Sequence, residues 1–418
     1  MNDIIDKRVE EMSEIVDNYL NCLDSIKDTF INNYNLLKRL ESKTIQSFKN
    51  FVKNNKIKEN DEVSSLEMKR LKSYIKKVEK ASLALIIFPQ SMLVSMVSQY
   101  DYLIGQLIQF IYNVTPNLLN DSNSQISYKE IFAFNDLTAI KNKIIQDKIE
   151  TTLRKSHEEQ IDDLQKLSGV KNLKGVSFWK EFIEITQRRN LFVHCKGRVS
   201  DQYIKECERV GVVSLPSKDE ELFVDEIYFD KAYSVFYKMG VLLSQVIIRH
   251  MLDNKTLGEI DTILTHIIYE LIEEEKYDLA IELSKFALEK STKHACRLDE
   301  VYFVLNYAQA CKWQGNQQKC DEILSAFDFS AMTPDILVAK YALEDDIAHV
   351  VECMNKIGDN SKIMNKDAYA SWPIFKEMRE KVEFRNAYKN VFKEDMNFEI
   401  LTPEENKMVE EIENSITD

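Results

Sequence analysis

Glycine and proline are scarce in this 418-residue chain, at nine and six residues. Sheets and long loops need turn chemistry that so few of either hardly supply, so an all-α fold is expected. The seven cysteines are scattered with no C-x-x-C pair, which excludes a disulfide framework or a zinc ribbon and suits a reducing cytoplasm. His266, His294 and His349 have no histidine or cysteine partner at ligand spacing, so neither a metal site nor a cofactor is expected. No P-loop, G-x-G-x-x-G or G-x-S-x-G occurs, which removes the common nucleotide- and acyl-transfer chemistries. The N-terminus, "MNDIIDKRVEEMSEIVDNYL", is too charged for a signal peptide. The most apolar run, "ASLALIIFPQSMLVSMVSQY", is broken by Pro89, Gln90 and several serines and makes a poor membrane span. Excess positive charge is lacking as well. A formal net charge of −14 repels a polyanion from most of the surface, so RNA would have to meet a local basic patch. The first 80 residues are roughly charge-balanced, which puts the acidic excess beyond them.

What is abundant is helical periodicity. In residues 1–80, Ile15, Tyr19, Leu23 and Ile26 recur at spacings of three and four, and a second helix follows the aperiodic "NNKIKENDEVSS"; together they predict an N-terminal hairpin. Residues 81–252 read as a helix bundle. Pro89 opens an apolar helix, and "SYKEIFAF", with Ser127 and Glu130 as a capping box, and "DLTAIKNKIIQDKIETTLRKSHEEQIDDLQKLSG" each give a helical segment. Gly169 is a helix stop, a further helix starts near Ser177, and a long buried one covers "EIYFDKAYSVFYKMGVLLSQVIIRHML". Phe229, Tyr233 and Phe236 on it read as core. Residues 253–395 change to short paired helices like degenerate tetratricopeptide repeats, with Ala280, Ala308, Gly315, Cys320 and Ala348 near the small positions, which predicts an α-solenoid. "SWPIFKEMREKVEFRNAYKNVF" closes it as a helix, and residues 396–418 form an acidic tail.

Polar groups gather in one place, "TQRRNLFVHCKGRVSDQYI". Asn190 and His194 share a helix face, whereas five residues turn Arg189 about 140° away from His194. Arginine can bind a phosphate as charge builds on it, histidine can move the proton of a ribose 2′-hydroxyl or protonate a leaving 5′-oxygen, and Asn190 can orient the imidazole. The 140° offset favours a site shared by two chains. Arg188, Lys196 and Arg198 flank the motif as candidate RNA-phosphate contacts. Asp101 could approach the motif from its apolar helix, while His157, among charges, reads as solvated.

"RRNLFVH" resembles the arginine–polar–three residues–histidine signature of the HEPN superfamily (higher eukaryotes and prokaryotes nucleotide-binding domains). "HCKGRVSDQYI" resembles the "hxxGxVxxxYL" tail that follows it in bacterial defence and toxin members, and the likeness extends over roughly residues 85–250. It implies a HEPN-type bundle in which Arg189, Asn190 and His194 are the catalytic set. It also implies a homodimer with a composite site and metal-independent cleavage of a single-stranded or tRNA-like RNA to a 2′,3′-cyclic phosphate and a 5′-hydroxyl. Other members keep the motif as binding or dimerisation modules. Two expectations follow: an endoribonuclease effector of antiviral defence or toxin type, with a protein or peptide partner on the repeat region, or a non-catalytic scaffold.

Overall fold

Two long helices dominate the N-terminal half of the computed structural model, which describes residues 6–55, 57, 63–120, 134 and 136–396. Helix α1 (Lys7–Asn54) starts where the Asp6 carboxylate accepts from the Arg8 amide, and α2 (Ser65–Val114) starts at a capping box of Ser64 and Glu67. They run antiparallel: Asn113 donates to Glu11 at 3.2 Å near one end, and Phe51 stacks on Tyr74 at 4.8 Å near the other. Among the described residues, the buried positions of α1 stop at Phe30 and those of α2 begin at Pro89. Half of each helix is thus core, and the other half is a two-helix arm.

Pro89 does not open a helix; it lies inside α2. A proline removes one amide donor and crowds the carbonyl four residues back, but packing along both halves carries the helix through. One 18-residue window of α2 has a mean hydropathy of 1.7, enough to cross a bilayer by length and composition, and 22% of that window is buried inside the protein.

The chain divides into two units, Met1–Ile260 and Asp261–Asp418. The first takes in the hairpin as well as the bundle, because the Tyr19 hydroxyl donates to the Phe236 carbonyl at 2.9 Å and Phe30 stacks on Phe229 at 3.8 Å. Its other helices are α3 (Leu137–Leu153), α4 (His157–Ser168), α5 (Trp179–His194), α6 (Asp201–Arg209) and α7 (Glu226–Met251). Phe229, Tyr233 and Phe236 of α7 are core, as their spacing predicts. The stretch expected as one helix from 136 to 168 is two, because Ser156 and Glu159 form a second capping box and restart it. Gly169 ends α4 in the left-handed conformation. "SYKEIFAF", with Ser127 and Glu130, lies outside the described residues.

The second unit is built of helix pairs. Helix α8 (Leu257–Glu273) is followed in sequence by α9 (Tyr277–Ala287); α10 (Arg297–Trp313) packs on α11 (Gln317–Ala326), and α12 (Pro334–Leu343) on α13 (Ile347–Ile357). Each pair turns through one left-handed residue at the same place, Glu275, Gly315 and Asp345. The amide after it reaches back to the carbonyl five residues earlier, as in Lys276 to Leu271, Asn316 to Cys311 and Asp346 to Tyr341. A Cβ on Gly315 would meet nothing, so that glycine serves the backbone and not packing. Ala280 and Cys320 are buried five residues beyond the left-handed residues of their turns, but in the third pair the buried equivalent is Val350, and Ala348 is exposed. The expected closing helix is shorter: after α14 (Lys366–Ser371), Pro373 diverts the chain into two 3-10 turns before α15 (Val382–Phe392). The acidic stretch 397–418 lies outside the described residues. The fold is all-α; among the described residues there is no strand, only one isolated bridge between Arg198 and Glu221.

Candidate active site

Helix α5 carries the motif, and its inner face, Phe182, Ile183, Ile185, Thr186 and Leu191, fixes how the helix sits. Glu184 lies on that face too. A carboxylate so deeply buried needs donors, and it has three: Arg188 Nε at 2.8 Å, the Tyr203 hydroxyl at 2.7 Å and the Tyr228 hydroxyl at 2.8 Å. The Arg188 guanidinium lies 3.9 Å from the centre of the Tyr228 ring and donates to the Phe223 carbonyl. Burial works against the Arg188 cation, but Tyr228 and Glu184 more than offset it and hold its pKa above the ordinary value. Burial, with Glu184 next in importance, raises Tyr203 and pushes the neighbouring Cys207 thiol up to about 12. Arg188, expected at the RNA, is engaged inside the protein, where it holds α5 to its neighbours.

The tail "HCKGRVSDQYI" explains how Tyr203 arrives there. Lys196 and Gly197 are both left-handed, which reverses the chain after α5. A Cβ at 197 would stand 3.0 Å from the Leu222 carbonyl and 3.3 Å from the Phe192 ring, so both φ and space require glycine. Val199 then donates to Glu220 and accepts from Asp219, and Ser200 caps α6. Leu191, Val199, Tyr203, Cys207 and Leu222 close a small apolar cluster beneath the turn. Lys196 and Arg198 are exposed at the surface of this turn, where Arg198 also donates to the Asp219 carbonyl.

The motif residues themselves divide between two environments. Arg189 is half-buried; its guanidinium donates to the Asn190 amide oxygen at 3.2 Å and lies 3.9 Å from Asp101 on α2. Its Nε is buried, with no partner among the described residues. Asp101 also stands 3.2 Å from His157 Nε2, close enough for an ion pair but misaligned for a hydrogen bond. His157 is not solvated as expected. As the first residue of α4 it turns inward, beside the rings of Tyr100 and Phe182, where its neighbouring charges do not follow it. His194, the last residue of α5, is exposed, and among the described residues it forms no hydrogen bond or ion pair. Asn190 serves Arg189, not the imidazole.

The structure therefore gathers Arg189, Asn190, Asp101 and His157 and leaves His194 apart at the helix end. Glu184, Tyr203 and Tyr228 were not singled out in the sequence, although Glu184 stands four residues before Arg188 and Tyr203 is the tyrosine of the tail pattern. Compared with known protein families, curated proteins and solved structures, the chain finds no match.

Proposed function

We propose that the chain is a metal-independent endoribonuclease of the HEPN type, a defence or toxin effector acting as a homodimer. The observation that carries this reading is that His194 stands exposed at the end of α5 and, among the described residues, has no partner, while the buried Nε of the Arg189 guanidinium on the same helix lacks an acceptor there. In the proposed reaction the ribose 2′-oxygen attacks phosphorus, the 5′-oxygen leaves, and histidine moves the protons on and off. Arg189 binds the phosphate as its charge builds, the task a metal would otherwise perform. Asn190 and Asp101 hold Arg189 in place for it. Products end in a 2′,3′-cyclic phosphate and a 5′-hydroxyl. The helix pairs of residues 261–396 are proposed as a tetratricopeptide-like platform for a protein or peptide partner, since they bear no constellation of this kind.

The test is purified protein with total RNA in excess EDTA, beside its Arg189→Ala and His194→Ala variants. The parent should cut and leave cyclic-phosphate ends. Each variant should lose roughly 10²-fold or more in rate while keeping its helicity. The scaffold reading has its own support, since Asp101 beside both Arg189 and His157 also suits a structural cluster. It expects no cleavage by the parent and a lower melting temperature for Arg189→Ala.

A further inference from the structure

The arm of the hairpin has a charge unlike the rest of the chain. Residues 31–54 and 65–88 carry eleven Lys and Arg against three Glu, a net charge of +8 in a protein of −14. Among the described residues only one of the eleven, Lys38, forms an ion pair, with Glu226. At 1.5 Å per residue the part of α1 beyond Phe30 is about 36 Å long, enough to run beside several successive phosphates. The helices turn apolar side chains such as Phe51 and Tyr74 towards each other, and Lys69, Arg70, Lys72 and Lys76 are all exposed.

From this we infer that the arm is a docking surface for the phosphate backbone of RNA. A row of cations, all but Lys38 without an ion pair among the described residues, matches a row of phosphates along the helices, and counterion release supplies the affinity without any base contact. A second copy of the arm is disfavoured, since two surfaces of like charge repel. Leu36, Leu40, Leu83 and Ile87 are exposed near the root of the arm, so an anionic lipid surface and an acidic protein are the competitors to be tested. The choice of RNA rests on the endoribonuclease reading, but the arm itself is read by binding and needs no cleavage.

The experiment measures anisotropy of a labelled RNA hairpin with the full-length His194→Ala chain, across a salt series. A second chain adds Lys69→Gln, Arg70→Gln, Lys72→Gln and Lys76→Gln; a third replaces the three lysines by arginine and keeps the charge. The glutamine variant should bind at least about tenfold more weakly, and its log–log salt slope should fall by about 3, at roughly 0.7–0.9 for each phosphate no longer neutralised. The arginine variant should bind like its parent, with circular dichroism the same for all three. Unchanged binding in the glutamine variant, or no binding by the parent at low salt, overturns the inference. So does preferential capture by phosphatidylserine vesicles or by polyglutamate. Absence of cleavage by the wild-type chain with arm binding intact would instead remove only the nuclease reading.

Discussion

At the scale of single residues, Glu184 carries more of the site than any member of the motif. Its carboxylate takes one donor from its own helix and two from tyrosines 19 and 44 residues further on. Truncating it leaves Arg188 a buried cation without its counter-charge, so Glu184→Ala should destabilise the first unit by about 3 kcal/mol in denaturant titration. Tyr203→Phe removes one donor and keeps the packing, and should cost about 1 kcal/mol. A loss confined to activity, with stability unchanged, would contradict this assignment. The spacing of Glu184 and Arg188 is visible in the sequence, and so is Tyr203 as part of the tail pattern; their meeting is not, because only the turn at Lys196 and Gly197 brings Tyr203 back. His157 is the same lesson in reverse. Its neighbours in the chain are charged, yet its ring faces Asp101, which is 56 residues away and on another helix.

At the scale of elements, periodicity located most of the long helices, because an amphipathic stripe depends on local spacing alone, but it did not locate α6 or α8. The errors fall where a local signal competes with packing. Pro89 looked like a helix start, while the Ser156 box was a true start that the surrounding charges obscured. The three equivalent turns of the second unit allow a paired test. Gly315 sits at φ 90°, where any side chain is strained, so Gly315→Ala should lower stability by about 1 kcal/mol. Glu275 occupies the same turn at φ 58°, so Glu275→Gly should raise stability by a few tenths to about 1 kcal/mol. Thermal melts of the two variants should move in opposite directions. At the start of α1, the Arg8 side chain and then its amide hold the Asp6 carboxyl at about 2, below its ordinary 3.8. A depressed carboxylate stabilises the fold above its unfolded pKa, and that stability is lost as the pH falls from about 4 towards 2. Asp6→Asn keeps a capping oxygen without the charge and should flatten that part of the acid-unfolding curve.

At the scale of the whole molecule, average charge conceals its distribution. The first 80 residues look balanced because an acidic root and a basic arm cancel in the sum, and only the hairpin geometry separates them. Averaging over one chain conceals a second matter. Arg189 is half-buried against Asp101, while His194 is exposed at the end of the same helix, about 140° around it. Under the proposed reaction, a phosphate held by that arginine would take its exposed imidazole from a second copy of the chain, as a two-fold dimer would offer. This predicts complementation between two dead chains. Arg189→Ala and His194→Ala proteins, each inactive alone, should regain roughly a quarter of the parental rate when unfolded and refolded together. Half of the dimers are then mixed, and each mixed dimer keeps one of its two cross-chain pairs of arginine and histidine intact. If arginine and histidine of one chain work together, mixing restores nothing, because every chain lacks one of them.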